Sequence, residues 1–283
     1  MKIKENRALS FFCIAAVYAL ATAFGVLIYN ILPYPYWLNL LISDVLATVF
    51  VFIFSLVFKN ASVYDPYWSV QPIVILCGLA VSNGLDIPRA LVLFAVSFWG
   101  IRLTANWAYT FHGLTHQDWR YTMLSEKTGV FYPVINFIGI HMVPTLIVYL
   151  CTVPAAFVFV NDCKLNPVSV VAFTVSVGAA VLQGISDIQM QSFRKNRNGA
   201  FIRKGLWKYS RHPNYLGEIL MWWGIGVFAV SMAPESWYLL AGAVANTLLF
   251  FFVSIPMAEK RQGKKEGFSE YKNATRVLLP IKK

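Results

Sequence analysis

Apolar residues run through this chain in long unbroken blocks separated by short polar segments, and the blocks fill nearly its whole length. Several reach the roughly 20 residues that a helix needs to cross the hydrocarbon core of a bilayer. They predict spans at 8–30, 38–58, 67–83, 89–111, 132–160, 167–192, 215–232 and 237–257. The expected fold class is therefore all-α, a polytopic integral membrane bundle of about seven to eight transmembrane helices. The first block is too long for a signal peptide and lacks a small-residue cleavage site after a short apolar core, so it reads as a span. One transmembrane domain over 1–283 is expected, with two spans in 1–60 and a core over 61–283.

Composition agrees with lipid as the solvent. The chain is 58% hydrophobic and 13% charged, against about 25% charged in an ordinary soluble domain. Charge then orients the bundle. With eight spans, 21 of the 24 Lys and Arg residues fall on the side that holds both termini, so both termini are expected to be cytoplasmic. The net charge of +11 is a topology signal first, and its spread over juxtamembrane loops argues against nucleic acid as a partner. Cys13, Cys77, Cys151 and Cys163 show no CxxC and no zinc-like spacing with histidine, and His112 and His116 have no third ligand nearby, so no metal is expected.

Against that background, ionisable groups at membrane depth carry the information, because each costs a few kcal/mol unless paired or used. Asp65 stands at the start of the third predicted span, where it also suits a helix cap. Arg102 lies near the cytoplasmic end of the fourth, one turn from Asn106. Gln183, Asp187, Gln191 and Arg194 form a polar stripe on one face of the sixth, followed by Lys195, Arg197 and Arg203. Glu259 closes the last span. All fall in the cytoplasmic half, which predicts one pocket facing the cytosol. In GLWKYSRHPNYLGEI, Pro213 suits a first helical turn, and Arg211, His212 and Asn214 surround a helix N-terminus, where free N–H groups favour an anion such as a cofactor phosphate. Glu218 follows Asn214 by one turn on the same face.

SRHPNYLGE, preceded by SDIQMQSFRKN and followed by GFSEYKNATRVLLP, resembles the steroid 5-alpha-reductase superfamily, including its bacterial-like branch and the sterol carbon-14 and delta-7 reductases. The resemblance covers about Tyr64 to Pro280 and is more distant toward isoprenylcysteine carboxyl methyltransferase. It implies NADPH bound among the cytosolic helix ends and reduction of a carbon–carbon double bond conjugated to a ketone, or of a sterol double bond. Carried over, Asp187 and Arg194 match acidic and basic cofactor contacts, with Gln183 in place of an Asn. Asn214 and Glu218 match residues near the nicotinamide, and Arg102 an arginine on the phosphates. The expected cofactor set also takes in Asn106, Gln191, Lys195, Arg203, Tyr209, Arg211, His212, Tyr215, Glu259, Lys260, Lys264 and Tyr271. Asp65 takes the place of the catalytic Glu, 34 residues before Trp99. Two departures stand out: Trp99 occupies the place of a tyrosine, and Lys260 and Lys264 replace a His and a Tyr.

An indole cannot supply an acidic hydroxyl, so the acid that polarises a carbonyl is expected from Asp65, with Tyr64, Tyr67 and Tyr109 as phenolic candidates. Trp68, Trp99 and Trp107 suit the walls of a pocket for a flat lipid ring, and equally an interfacial aromatic belt. The expected partners are a lipid or steroid-like substrate and the membrane lipids, with the chain as a monomer. The expected location is a bacterial inner membrane, or the endoplasmic reticulum in a eukaryote, with the active site toward the cytosol. An S-adenosylmethionine-dependent membrane methyltransferase remains an alternative, because RHPxY followed by a small residue occurs there too. So does a non-catalytic lipid-binding protein. The basic run favours a dinucleotide, which has phosphates to neutralise where S-adenosylmethionine has none.

Overall fold

The structure, a computed structural model, describes residues 2–195 and 200–280. Arg197 of the basic run lies outside the described residues. We number the main helices α1 (Arg7–Ile31), α2 (Tyr36–Val57), α3 (Tyr67–Asn83), α4 (Ile87–Thr110), α5 (Trp119–Val160), α6 (Pro167–Lys195), α7 (Pro213–Met232), α8 (Pro234–Gln262) and α9 (Phe268–Ala274). Among the described residues, seven helices are long and apolar enough to cross a membrane. The remaining predicted span forms as α3, which has 17 residues. The protein is thus an all-helical, multi-pass membrane protein.

Local sequence explains most of the helix ends. Asn6 caps α1 by accepting from the Leu9 N–H at 3.1 Å. At α6, the Asn166 side chain accepts from the Ser169 N–H and the Ser169 hydroxyl accepts from the Asn166 N–H, both at 2.9 Å. This reciprocal pair satisfies two donors at once. Pro213 opens α7 as predicted, and Gly84 ends α3 at φ 74°, where a side chain would be strained. The largest departure from the predicted spans is at α5, which starts at Trp119 and not at 132. Its added turns, WRYTMLSEKT, are too polar to register as an apolar block. A π-helical stretch, Asn136–Met142, interrupts α5 and buries His141.

The chain divides into two compact units, with boundaries at 85/86, at 99/100 inside α4, and at 160/161. Unit 1 comprises 1–85 and 100–160. In it, α1 packs on α2, and α2 and α3 both pack on the last turns of α5. Its core gathers Ile14, Val17, Val51, Val63 and Tyr64. Unit 2 comprises 86–99 and 161–283 and is organised by the long contact of α6 with α7.

Small residues bring α6 and α7 together. A Cβ on Gly224 would stand 2.1 Å from Ser176 Oγ, and one on Gly217 would stand 2.7 Å from the Ala179 carbonyl oxygen and 2.8 Å from Gln183 Cβ. The backbones approach closely enough for packing to replace the hydrophobic effect, which is absent between helices in lipid. Gly217→Ala should therefore force α7 off α6. We expect a loss of about 1–3 kcal/mol, as for overpacking elsewhere, read as a lower melting temperature in detergent; an unchanged melting temperature would show that the two helices can separate at no cost.

Candidate active site

In unit 2, the close approach at Gly217 delivers Glu218 against α6. Glu218 is 3% exposed. Its Oε2 accepts from Trp99 Nε1 at 2.8 Å and from Gln183 Nε2 at 2.6 Å, and its Oε1 accepts from Trp222 Nε1 at 2.9 Å. Three donors on three helices thus surround one carboxylate, which is how a buried charge is kept. Trp99, fully buried, meets Trp222 edge to face at 4.8 Å. Trp99, expected either as a wall of a lipid pocket or as an interfacial belt residue, donates its indole N–H to Glu218.

The entrance to α7 is built from the chain that precedes it and the tail that follows α8. The Arg211 and His212 N–H groups donate to the carbonyls of Arg276 and Val277 at 3.0 and 3.2 Å. The Arg211 guanidinium donates to Glu259 Oε1 at 2.7 Å and to the carbonyls of Lys272 and Thr275. His212 Nε2 lies 3.4 Å from the same Glu259 oxygen, and Lys272 Nζ lies 2.9 Å from the other. The Tyr271 hydroxyl donates to the Trp207 carbonyl, and burial pushes that phenol up to about 12. Arg211, His212, Glu259 and Tyr271, expected as cofactor contacts, are therefore joined in one network that straps the tail across the helix entrance.

Two oxygens nearby make no hydrogen bond among the described residues: Gln183 Oε1 and Asn214 Oδ1. Both are buried acceptors: Gln183 is a donor to Glu218 across the helix contact, and Asn214 stands one turn before Glu218 on α7. Tyr215 stacks on His212 with ring centres 5.1 Å apart. Asp187 and Gln191 are half-buried on the α6 stripe. Arg194, Lys195 and Arg203 are exposed, as are Tyr209, Lys260 and Lys264. The Arg203 guanidinium lies 4.7 Å over the Phe201 ring.

Unit 1 holds the other candidates. The loop 58–66 is stapled to the segment 111–118. The Asn60 side chain donates to the carbonyls of Leu114 and His116, Ala61 N–H donates to Gln117, and Asp118 N–H donates to Ser62 Oγ. This fixes Asp65, whose Oδ1 accepts from the Tyr121 hydroxyl at 2.5 Å. Burial raises its carboxyl to about 6, with the Arg120 cation and the Tyr121 hydrogen bond opposing the shift. Asp65 does not cap α3, which has Pro66 at its cap and no side-chain cap bond. The Tyr64 hydroxyl pairs with Thr145 Oγ1 at 2.7 Å, and Thr145 with Thr48 at 3.0 Å. Burial pushes the Tyr64 phenol above its ordinary range. Tyr67 donates to Asp44 at 3.2 Å, and Tyr109 is exposed. Trp68 and Trp107 pack against the unit 1 core, Trp107 stacking on Phe111 at 4.7 Å. Arg102 and Asn106 are half-buried on α4.

Asp44 is a residue that sequence reasoning missed. It is 4% exposed within the second apolar run, and the same criterion that singled out Asp65 would have found it.

Residues 51–275 match the family described as "Protein of unknown function (DUF1295)". The chain belongs to the DUF1295 family. Every candidate residue named from the sequence, from Tyr64 to Tyr271, lies inside the DUF1295 match, and Asp44 lies outside it. A relative in Schizosaccharomyces pombe, described as "Uncharacterized protein C594.04c", is 27% identical over 231 residues, covering 71% of this chain and 66% of that protein. This DUF1295 chain thus spans just under two thirds of that relative's length. No solved structure matches it.

Proposed function

We propose that this protein is a membrane-embedded, NADPH-dependent reductase of a carbon–carbon double bond in a lipid, of the kind found in the steroid 5-alpha-reductase superfamily that its motifs resemble. The observation that carries the reading is the pair of buried acceptors without partners beside Glu218, Gln183 Oε1 and Asn214 Oδ1. A nicotinamide carboxamide brings two N–H donors, which is what two unpartnered amide oxygens require. The exposed Arg194, Lys195 and Arg203 suit phosphates, the 2′-phosphate of NADPH among them.

NADPH, when bound, supplies the hydride. Glu218, saturated by Trp99, Gln183 and Trp222, positions the Gln183 amide so that its oxygen is left for the carboxamide. The exposed cations neutralise phosphate at the cytosolic end of α6. The resemblance assigns the acid to Asp65, whose neutral form would be able to donate a hydrogen bond to an oxygen that gains charge. Both termini lie on the cytoplasmic side, an arrangement that counts α3 among the crossings.

Fluorescence titration with NADPH and NADH tests the reading. NADPH should bind at least about tenfold more tightly, because the 2′-phosphate adds charged hydrogen bonds of roughly 1.5–3 kcal/mol. Asn214→Ala should weaken NADPH by about tenfold without loss of folded protein, since its Oδ1 accepts no hydrogen bond among the described residues. Equal affinity for the two dinucleotides removes the 2′-phosphate role. Binding of neither, with binding of S-adenosylmethionine, overturns the reductase in favour of a methyltransferase, which the RHPNY segment also suits.

A further inference from the structure

Unit 1 contains a cavity of about 160 Å³ between α1, α2 and α3. Its wall is mostly apolar: Thr22, Tyr29, Asn30 and Ser82 also line it, Asn30 and Ser82 donating to the Val26 and Gly78 carbonyls, and one place is both polar and buried. There Ser43, Asp44 and Gln71 are 6%, 4% and 7% exposed. Tyr67 donates to Asp44 Oδ1, but Asp44 Oδ2, Ser43 Oγ and Gln71 Nε2 make no hydrogen bond among the described residues. Three unpartnered, buried polar atoms in one cavity cost free energy unless something meets them. Ser43 and Asp44 also lie outside the segment matched by the DUF1295 family, so the family match does not account for the site.

The geometry points to a binding site for the hydroxyl group of an alcohol-bearing lipid, held between Asp44, Gln71 and Ser43. The unpartnered set decides among head groups. A hydroxyl gives one hydrogen bond and accepts others, so it serves Asp44 whether that carboxyl is ionised or neutral, and accepts from Gln71 in both cases. A ketone only accepts and leaves an ionised Asp44 unmet. An ammonium only donates and leaves Gln71 unmet. Size narrows the guest further. A cavity of about 150 Å³ holds a benzene-sized molecule, so the site takes a hydroxyl with one ring or a short chain segment, and the rest of a longer lipid must leave through the mouth. Gly78 marks that mouth: it lines the cavity, it is exposed, and a Cβ added to it meets nothing within 4 Å. This site stands apart from the reductase reading and needs no dinucleotide.

The test is photolabelling of the full-length protein in detergent with a diazirine-bearing octanol and no NADPH present, with labelled peptides located by mass spectrometry. Label should appear in α1 to α3 and be competed by 1-octanol about fivefold better than by 2-octanone or octylammonium. Gln71→Leu and Asp44→Leu should each lower labelling there about fivefold or more. Gly78→Leu keeps every polar group, adds bulk where there is open space, and should abolish the label. Two results would overturn the proposal: competition by the ketone or the amine equal to that by the alcohol, or label that persists unchanged in folded Gly78→Leu protein, as judged by size exclusion.

Discussion

Asp65→Asn should leave NADPH affinity near wild type and lower single-turnover reduction of an accepted enone lipid about 100-fold, the effect of removing a positioned acid. The substitution keeps the shape and an acceptor for the Tyr121 hydroxyl, so the staple between the loops 58–66 and 111–118 survives. What disappears is the proton, and the interaction it makes strengthens only as the enolate forms. A pH profile separates this role from a structural one. Burial raises the Asp65 carboxyl to about 6, so the neutral donor form is present below that pH and is lost as pH rises through it. The wild-type rate should fall about tenfold for each pH unit above 6, and Asp65→Asn should show no such slope. Wild-type turnover in the mutant would leave Asp65 structural and return the search to Tyr64, Tyr67 and Tyr109. Of these, Tyr64 is engaged with Thr145 and Tyr67 with Asp44.

The second large effect is on stability. Glu259→Ala removes the carboxylate that Arg211, His212 and Lys272 share, and the Arg211 side chain is only 6% exposed. Breaking a buried pair by deleting one partner costs about 3–5 kcal/mol, because the remaining charge is left uncompensated. Thermal melting in detergent should show a large drop for Glu259→Ala. The double variant Arg211→Met/Glu259→Leu should recover much of it, since a well-packed apolar pair can replace an ion pair of similar volume. If Glu259→Ala melts with wild type, the strap contributes no stability and its residues are free for the cofactor role that the motif suggested.

Much of this fold was legible in the hydropathy pattern because lipid imposes a single rule: every backbone group must be satisfied within a helix, and helix length is set by the bilayer. The helix spanning 67–83 and the proline start at 213 follow from that rule. The start of α5 was not legible, since residues 119–131 carry too few apolar side chains and are held by the Asp118 cap, whose carboxylate accepts from the Arg120 N–H. The candidate site was legible by residue type but not by partner. Polar residues in apolar runs could be picked out, yet the sequence does not say that Trp99 donates to Glu218, 119 positions away, or that Arg211 is committed to Glu259 and the tail. Such pairings depend on which helices touch, and no periodicity encodes that.

The strap across the α7 entrance also sets an order of events during synthesis. Arg211 finds its partners at Glu259, Lys272 and Thr275, and the N–H groups of Arg211 and His212 find theirs at Arg276 and Val277. When α7 has just been synthesised, none of those five residues has yet been made. The entrance beside Asn214 and Glu218 is therefore finished only after the ribosome has passed Val277, and a chain stalled or trimmed before that point would carry its transmembrane helices with the α7 entrance of unit 2 left open.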